Sequence, residues 1–214
     1  MRWEDQKRSQ NIEDRRGQRM QRGGMRRGGG MIPLQGKAGV ALFLVVMIAG
    51  YYGIDLSPLL LGEGSAPQVT QVEHRATPEE QRMAEFTAVA LAKTEDLWKQ
   101  KFRENRLQYR EPTLVLYTGA TSTACGFGQA AMGPFYCPAD EKVYIDLSFY
   151  QDMKKKLGGG GDFAQGYVIA HEVGHHVQHL LGITTKVRQM QKRAGRKEAN
   201  ALSVNMELQA DCFA

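Results

Sequence analysis

Cysteine is scarce in this chain of 214 residues: there are three, Cys125, Cys137 and Cys212, and none stands in a Cys-x-x-Cys pair. A cysteine-ligated zinc site of the usual paired spacing is thereby excluded. Histidine is nearly as rare, with five, so a regular spacing among them carries weight. No internal repeat is visible, which excludes a solenoid. Long apolar runs free of charge are missing but for one, the 17 residues Ala38 to Ile54. Aromatic side chains are absent from the Arg/Gly run Arg22 to Gly30, which removes the base-stacking surface that a nucleic-acid-binding arm uses. A net positive charge is missing from most of the chain as well. Residues 1–37 hold ten Lys or Arg and four Asp or Glu, net +6, against +5 overall, so the remainder nets −1.

What is there centres on His171-Glu172-Val173-Gly174-His175. Positions i and i+4 share one face of an α-helix, one turn apart. Both imidazoles can therefore meet one metal ion, with Glu172 beside them as a general base, the pattern H-E-x-x-H. The surroundings predict a helix from Asp162, as N-cap after the run Gly158 to Gly161, to Leu181, with Gly182 as the C-terminal stop. Val168, Ile169, Val173, Val177, Leu180 and Leu181 give it apolar faces, as a buried helix requires. Gly174 costs about 1 kcal/mol against Ala inside a helix, which suggests a close approach by a neighbour.

A catalytic zinc needs a third protein ligand. Glu207 is the best candidate, on a second helix predicted over Glu198 to Phe213, where Glu207 and Asp211 stand at i and i+4. Asp211 would accept the free ring N–H of a ligand histidine. The competing reading is that both are solvated surface carboxylates. His176 points about 100° away from His175 and reads as a packing residue rather than a further ligand.

His171-Glu172-x-x-His175 followed by Glu207-x-x-x-Asp211 resembles the gluzincin arrangement of zinc metallopeptidases. The wider chain resembles a bacterial family of neutral zinc metallopeptidases with a single N-terminal membrane anchor. The likeness runs through Met1-Arg2-Trp3, Asn11 to Arg16, Gly50-Tyr51-Tyr52-Gly53, Met132 to Asp140, Val143 to Tyr150, Gly161 to His171 and Met206 to Ala214. It implies one Zn2+ ion held by His171, His175 and Glu207, Glu172 as the base, and a peptide or protein substrate. It also implies a zincin-like α+β domain with a small sheet and a buried active-site helix. Family members continue for several tens of residues past the position of Ala214, so the chain reads as a fragment lacking the C-terminal part of the domain. A donor to the oxyanion is expected among Tyr144, Tyr150, Tyr167 and His179. The alternative function is a non-catalytic, membrane-anchored, zinc-containing binding or adaptor module of the cell envelope.

The organisation expected is a basic disordered cytoplasmic arm over 1–37, a transmembrane anchor over 38–54, a linker over 55–76, and the peptidase domain over 77–214. The apolar run has the short end of the length that spans a bilayer. Lys37 on one side and Tyr51 and Tyr52 on the other suit its two interfaces. The excess of Lys and Arg before it keeps the N-terminus cytoplasmic and puts the domain in the periplasm or outside the cell. The arm suits a topology determinant, with contact to anionic lipid as a second use and nucleic acid disfavoured. In an oxidising compartment Cys125 and Cys137 can close a disulfide over the Gly-rich stretch between them. Within the domain, Thr77, Pro78 and Glu80 announce a helix running to about Arg106. Leu114 to Tyr117 and Lys142 to Leu147 read as strands, either of which could be the edge on which zinc peptidases lay an extended substrate.

Overall fold

The computed structural model describes residues 2–20, 69–71, 76–158 and 161–214. The strands are β1 (Ile12–Asp14), β2 (Gln18–Met20), β3 (Val69–Gln71), β4 (Thr113–Tyr117), β5 (Ala120–Thr123), β6 (Gly126–Gln129), β7 (Phe135–Cys137) and β8 (Lys142–Asp146). The helices are α1 (Pro78–Glu104), α2 (Ser148–Leu157), α3 (Asp162–Leu180), α4 (Ile183–Gln191) and α5 (Arg196–Phe213). Four strands form the main sheet in the order β1-β4-β8-β7, while β2 with β3 and β5 with β6 make two-stranded ribbons.

Leu114 to Tyr117 and Val143 to Asp146 are buried without interruption, as strands covered on both faces must be. They run parallel to each other in the middle of the sheet. α1 starts where its cap residues place it: the Thr77 hydroxyl accepts the Glu80 amide at 3.2 Å and Pro78 fills the first turn. Its residues Met83, Ala84 and Leu91 join Leu114, Leu116, Val143 and Ile145 of the sheet and Ile169 and Val173 of α3 in one core. α3 thus lies against the sheet with its apolar side down, leaving His171 and His175 half-buried at its rim. Its N-cap is Gly161, with Asp162 the first helical residue. Gly182 stops it at φ 74°, a left-handed conformation that glycine adopts without strain.

Neither strand expected to be the substrate-binding edge is an edge. β1 flanks β4 on one side and β7 flanks β8 on the other, antiparallel to it. These two short strands carry too little apolar alternation for their period to stand out.

The N-terminal residues are part of the domain. Trp3 is buried, stacked edge-on against Phe86 at 5.3 Å between ring centres. Ser9 and Asn11 bond the buried Glu95 carboxylate at 2.6 and 2.9 Å. β1 pairs in parallel with β4 from Ile12↔Leu114 to Asp14↔Leu116. The disorder expected over 1–37 therefore does not hold for this first part.

The transmembrane helix expected ahead of the domain is corrected on the same ground. No helix among the described residues is long and apolar enough to cross a membrane. The stretch 38–54, the Arg/Gly run and most of the 55–76 linker lie outside those residues. Residues up to Arg19 and from Gln71 onward belong to one compact unit. The fold is an α+β domain of five helices and small sheets.

Candidate metal centre

α3 and α5 build the centre between them. His171 and His175 present from one face of α3, their rings 4.8 Å apart, and Glu207 faces them from α5. The Glu207 Oε2 lies 3.3 Å from His171 Nε2 and 3.4 Å from His175 Nε2. Ligand atoms about 2.0–2.1 Å from a tetrahedral ion stand roughly 3.4 Å apart; the two Glu207 distances match that, and all three ligand atoms lie within 4.8 Å of one another. Among the described residues this trio is the only group of three or more His, Cys, Asp or Glu side chains so arranged. A neutral and an anionic donor type together, N, N and O, also suit zinc. Glu207 is 60% exposed, which leaves the fourth direction open toward the cleft.

The close approach is possible because of Gly174. A Cβ there would stand 2.9 Å from the Ala210 carbonyl oxygen and 3.2 Å from its Cα. The two helices touch backbone to backbone one residue from His175 and one from Asp211, and only glycine allows it.

Each histidine has a partner for its other nitrogen. His171 Nδ1–H donates to Asp211 Oδ1 at 2.9 Å, as the sequence suggested. His175 Nδ1–H donates to Gln178 Oε1 at 2.9 Å. The Gln178 amide donates in turn to Met206 O at 2.7 Å and Gln209 Oε1 at 3.1 Å. Both rings are thereby held with Nε2 toward the trio. Asp211 also accepts the Tyr167 hydroxyl at 2.6 Å, and these two bonds hold its carboxyl below the usual range. Gln178 was not singled out from sequence; its spacing, i+3 from His175, was the available signal.

Glu172 is buried beside the trio. Burial, with the nearby Glu207 charge, pushes its carboxyl well above the usual carboxylate range, while His175 and the Tyr136 main chain pull the other way. A cleft of about 490 Å³ opens over it, lined by Pro134, Phe135 and Tyr136 on one side and Thr184, Arg188, Met206 and Glu207 on the other. An adjoining hollow of about 330 Å³ shares Pro134, His171 and Glu172 and is walled by Met132, Phe149, Tyr167 and Val168. β7 is thus the sheet edge beside the centre.

The four candidate oxyanion donors separate. Tyr167 reaches the cleft wall, beside Asp211. Tyr144 turns away and donates to Asp140 at 2.7 Å. Tyr150 is sealed in the core. His179 sits a turn past His175, its Nε2 3.4 Å from Glu141. Tyr144, Tyr150 and His179 line neither hollow. Cys125 and Cys137 are joined as a disulfide, and Cys212 is free and exposed. Arg188 and Tyr136 join the cleft without having been named from sequence, since neither lies at a fixed spacing from the histidines.

Comparison with known proteins agrees with this geometry. Residues 1–214 match the family described as "Putative neutral zinc metallopeptidase". The chain is 57% identical to the uncharacterized protein YpfJ of Escherichia coli (strain K12) over 215 residues, all of this chain and 73% of the relative. It is 36% identical to the uncharacterized protein Rv2575 of Mycobacterium tuberculosis (strain ATCC 25618 / H37Rv) over 163 residues, 75% of this chain and 53% of the relative. No solved structure matches.

Proposed function

The chain belongs to the neutral zinc metallopeptidase family, whose cofactor is Zn2+, and from that premise we propose that it hydrolyses peptide bonds in extended segments of protein laid along β7. The observation that carries the proposal is the junction of three elements at one point. α3 brings His171, His175 and the buried Glu172, α5 brings Glu207, and β7 offers a free strand edge along the same cleft.

When bound, zinc supplies Lewis acidity, lowering the pKa of a water from roughly 16 to about 7 and polarising a carbonyl oxygen. His171, His175 and Glu207 would hold it, with Asp211 and Gln178 fixing the two rings. Glu172, raised by burial toward neutrality, accepts a proton from the attacking water and returns it to the departing amide nitrogen. The outer side of β7, which pairs with no strand among the described residues, takes the substrate main chain as an added strand. Of the four expected oxyanion donors only Tyr167 lines a hollow at the centre, and its single hydroxyl proton goes to Asp211.

A disulfide that persists belongs in an oxidising compartment. Cys125–Cys137 is the ground on which we assign the domain to the bacterial periplasm or cell exterior.

The deciding experiment pairs metal content with cleavage of an unstructured protein such as casein. One zinc per chain, chelator-sensitive cleavage, and loss of cleavage with zinc retained in Glu172→Gln are expected; a missing general base costs about 10²–10⁴-fold. A Glu172→Gln variant as active as the parent would overturn the mechanism, and zinc without cleavage by the parent would favour a non-catalytic zinc-containing module.

A further inference from the structure

β7 is three residues long and lies at the edge of the sheet, yet it forms one wall of the cleft. A strand that short is weakly held by its ladder alone. Two ties fix it. Cys137 is bonded to Cys125 on the side where Phe135 and Cys137 pack against Tyr117 and Tyr144. Tyr136, whose side chain leaves the opposite face, places its hydroxyl 2.9 Å from His176 Nδ1 on α3.

His176 is wholly buried, and its Nε2 lies 2.6 Å from the Arg110 carbonyl oxygen. A carbonyl only accepts, so Nε2 carries the proton, Nδ1 is the acceptor, and the Tyr136 hydroxyl donates to it. The rings of Tyr136 and Tyr109 meet the imidazole edge-on, with centres 5.3 and 5.8 Å away. Turning the ring would break both bonds inside the core, where an unpaired polar group is costly. Tyr136 and Glu172 line the same cleft. One connected path therefore runs from Arg110 O through His176 to Tyr136, which stands with Glu172 in the wall of the cleft.

We propose that His176 and Tyr136 are positioning residues: their bond sets β7 on α3 and so fixes the cleft wall that faces Glu172. The catalytic consequence rests on the peptidase reading, while the placement of the strand does not. A buried histidine that is only well packed would, when altered, loosen the whole domain evenly.

The test uses Tyr136→Phe, which keeps the ring and removes the hydroxyl, together with His176→Gln and the double variant of the full zinc-loaded chain. Amide exchange at residues 135–137 is read beside zinc content and the kcat and KM for an extended peptide. Tyr136→Phe is expected to keep one zinc per chain, to speed exchange at β7 roughly five- to tenfold, and to leave β4 and α3 unchanged. kcat should fall about tenfold with a smaller change in KM. The double variant should lose no more than the worse single one, because one bond is shared. Exchange at β7 that is unaltered in Tyr136→Phe, or raised evenly across the domain, overturns the proposal. So does faster exchange with kcat intact in an active parent. If the parent cleaves nothing and β7 still loosens selectively, the strand placement stands and the peptidase reading fails.

Discussion

At the scale of single residues, the two ligand histidines are steadied by partners of different kinds. His171 leans on an exposed carboxylate, Asp211, and His175 on the buried amide of Gln178. Replacing Asp211 with Ala frees the His171 ring and strands the Tyr167 hydroxyl. Zinc affinity measured against a competing chelator is expected to drop roughly 10–100-fold, with little change in melting temperature; unaltered affinity would mean Asp211 is a bystander. Arg188 raises a different question. It is exposed at the cleft mouth, and among the described residues it makes no hydrogen bond or ion pair through its side chain. It is available to a carboxylate on the substrate. Because exposed ion pairs contribute about 0.2–1 kcal/mol, Arg188→Ala is expected to raise KM for acidic peptides by no more than about fivefold and to leave neutral peptides alone. Equal effects on both peptide classes would remove Arg188 from recognition. His171 with His175, and Glu207 with Asp211, were legible as pairs because helical spacing alone brings i and i+4 together, while the meeting of the two pairs is set by how α3 and α5 pack. Arg188 and Tyr136 were not legible, since their distance from the histidines is set by how α4 and β7 pack, which no local period encodes.

Among the elements, helix termini were easy to read and sheet edges were not. Thr77 and Pro78 start α1 and Gly182 stops α3 because caps act on neighbouring backbone groups. Strand order depends on partners distant in sequence, so the edge role of β7 emerged only from the fold. The α3–α5 contact shows the same limit. Gly174 announced a close approach but not its partner, the Ala210 backbone. Gly174→Ala sets two effects against each other. Alanine gains about 1 kcal/mol of helix propensity, while a Cβ 2.9 Å from a carbonyl oxygen forces overpacking that costs about 1–3 kcal/mol. The obstacle is backbone and cannot rotate away, so the second effect wins. Calorimetry should show a lower melting temperature, and zinc binding should weaken as α5 carries Glu207 outward. A variant that melts higher with zinc affinity intact would show that the helices part freely.

Over the whole molecule, the N-terminal residues close the sheet on the side away from the metal. A basic stretch ahead of an apolar run reads as a topology determinant, and that reading left out the partners that Glu13 and Asp14 find within the fold. Glu13 is the clearest case. On β1 it accepts from Arg15 at 2.7 Å and from Lys142 of β8 at 2.7 Å, across the intervening strand β4. These bonds, Arg15 foremost, lower its carboxyl from 4.5 to about 2. A depressed folded pKa means that the unfolded chain binds the proton more readily. The stabilisation from Glu13 is therefore fully present above pH 4.5 and is lost as pH falls toward 2. The side chain is 39% exposed, so solvent and salt screen the effect and it is modest. Melting temperatures of the parent and Glu13→Gln, both stripped of metal so that ligand protonation is common to them, should differ most at pH 5–7 on the scale of these pKa values. The gap should narrow progressively below about pH 4.5 and shrink at high salt. A gap that is constant from pH 6 to pH 2, on that same scale, would mean that Glu13 holds β1 by packing rather than by charge.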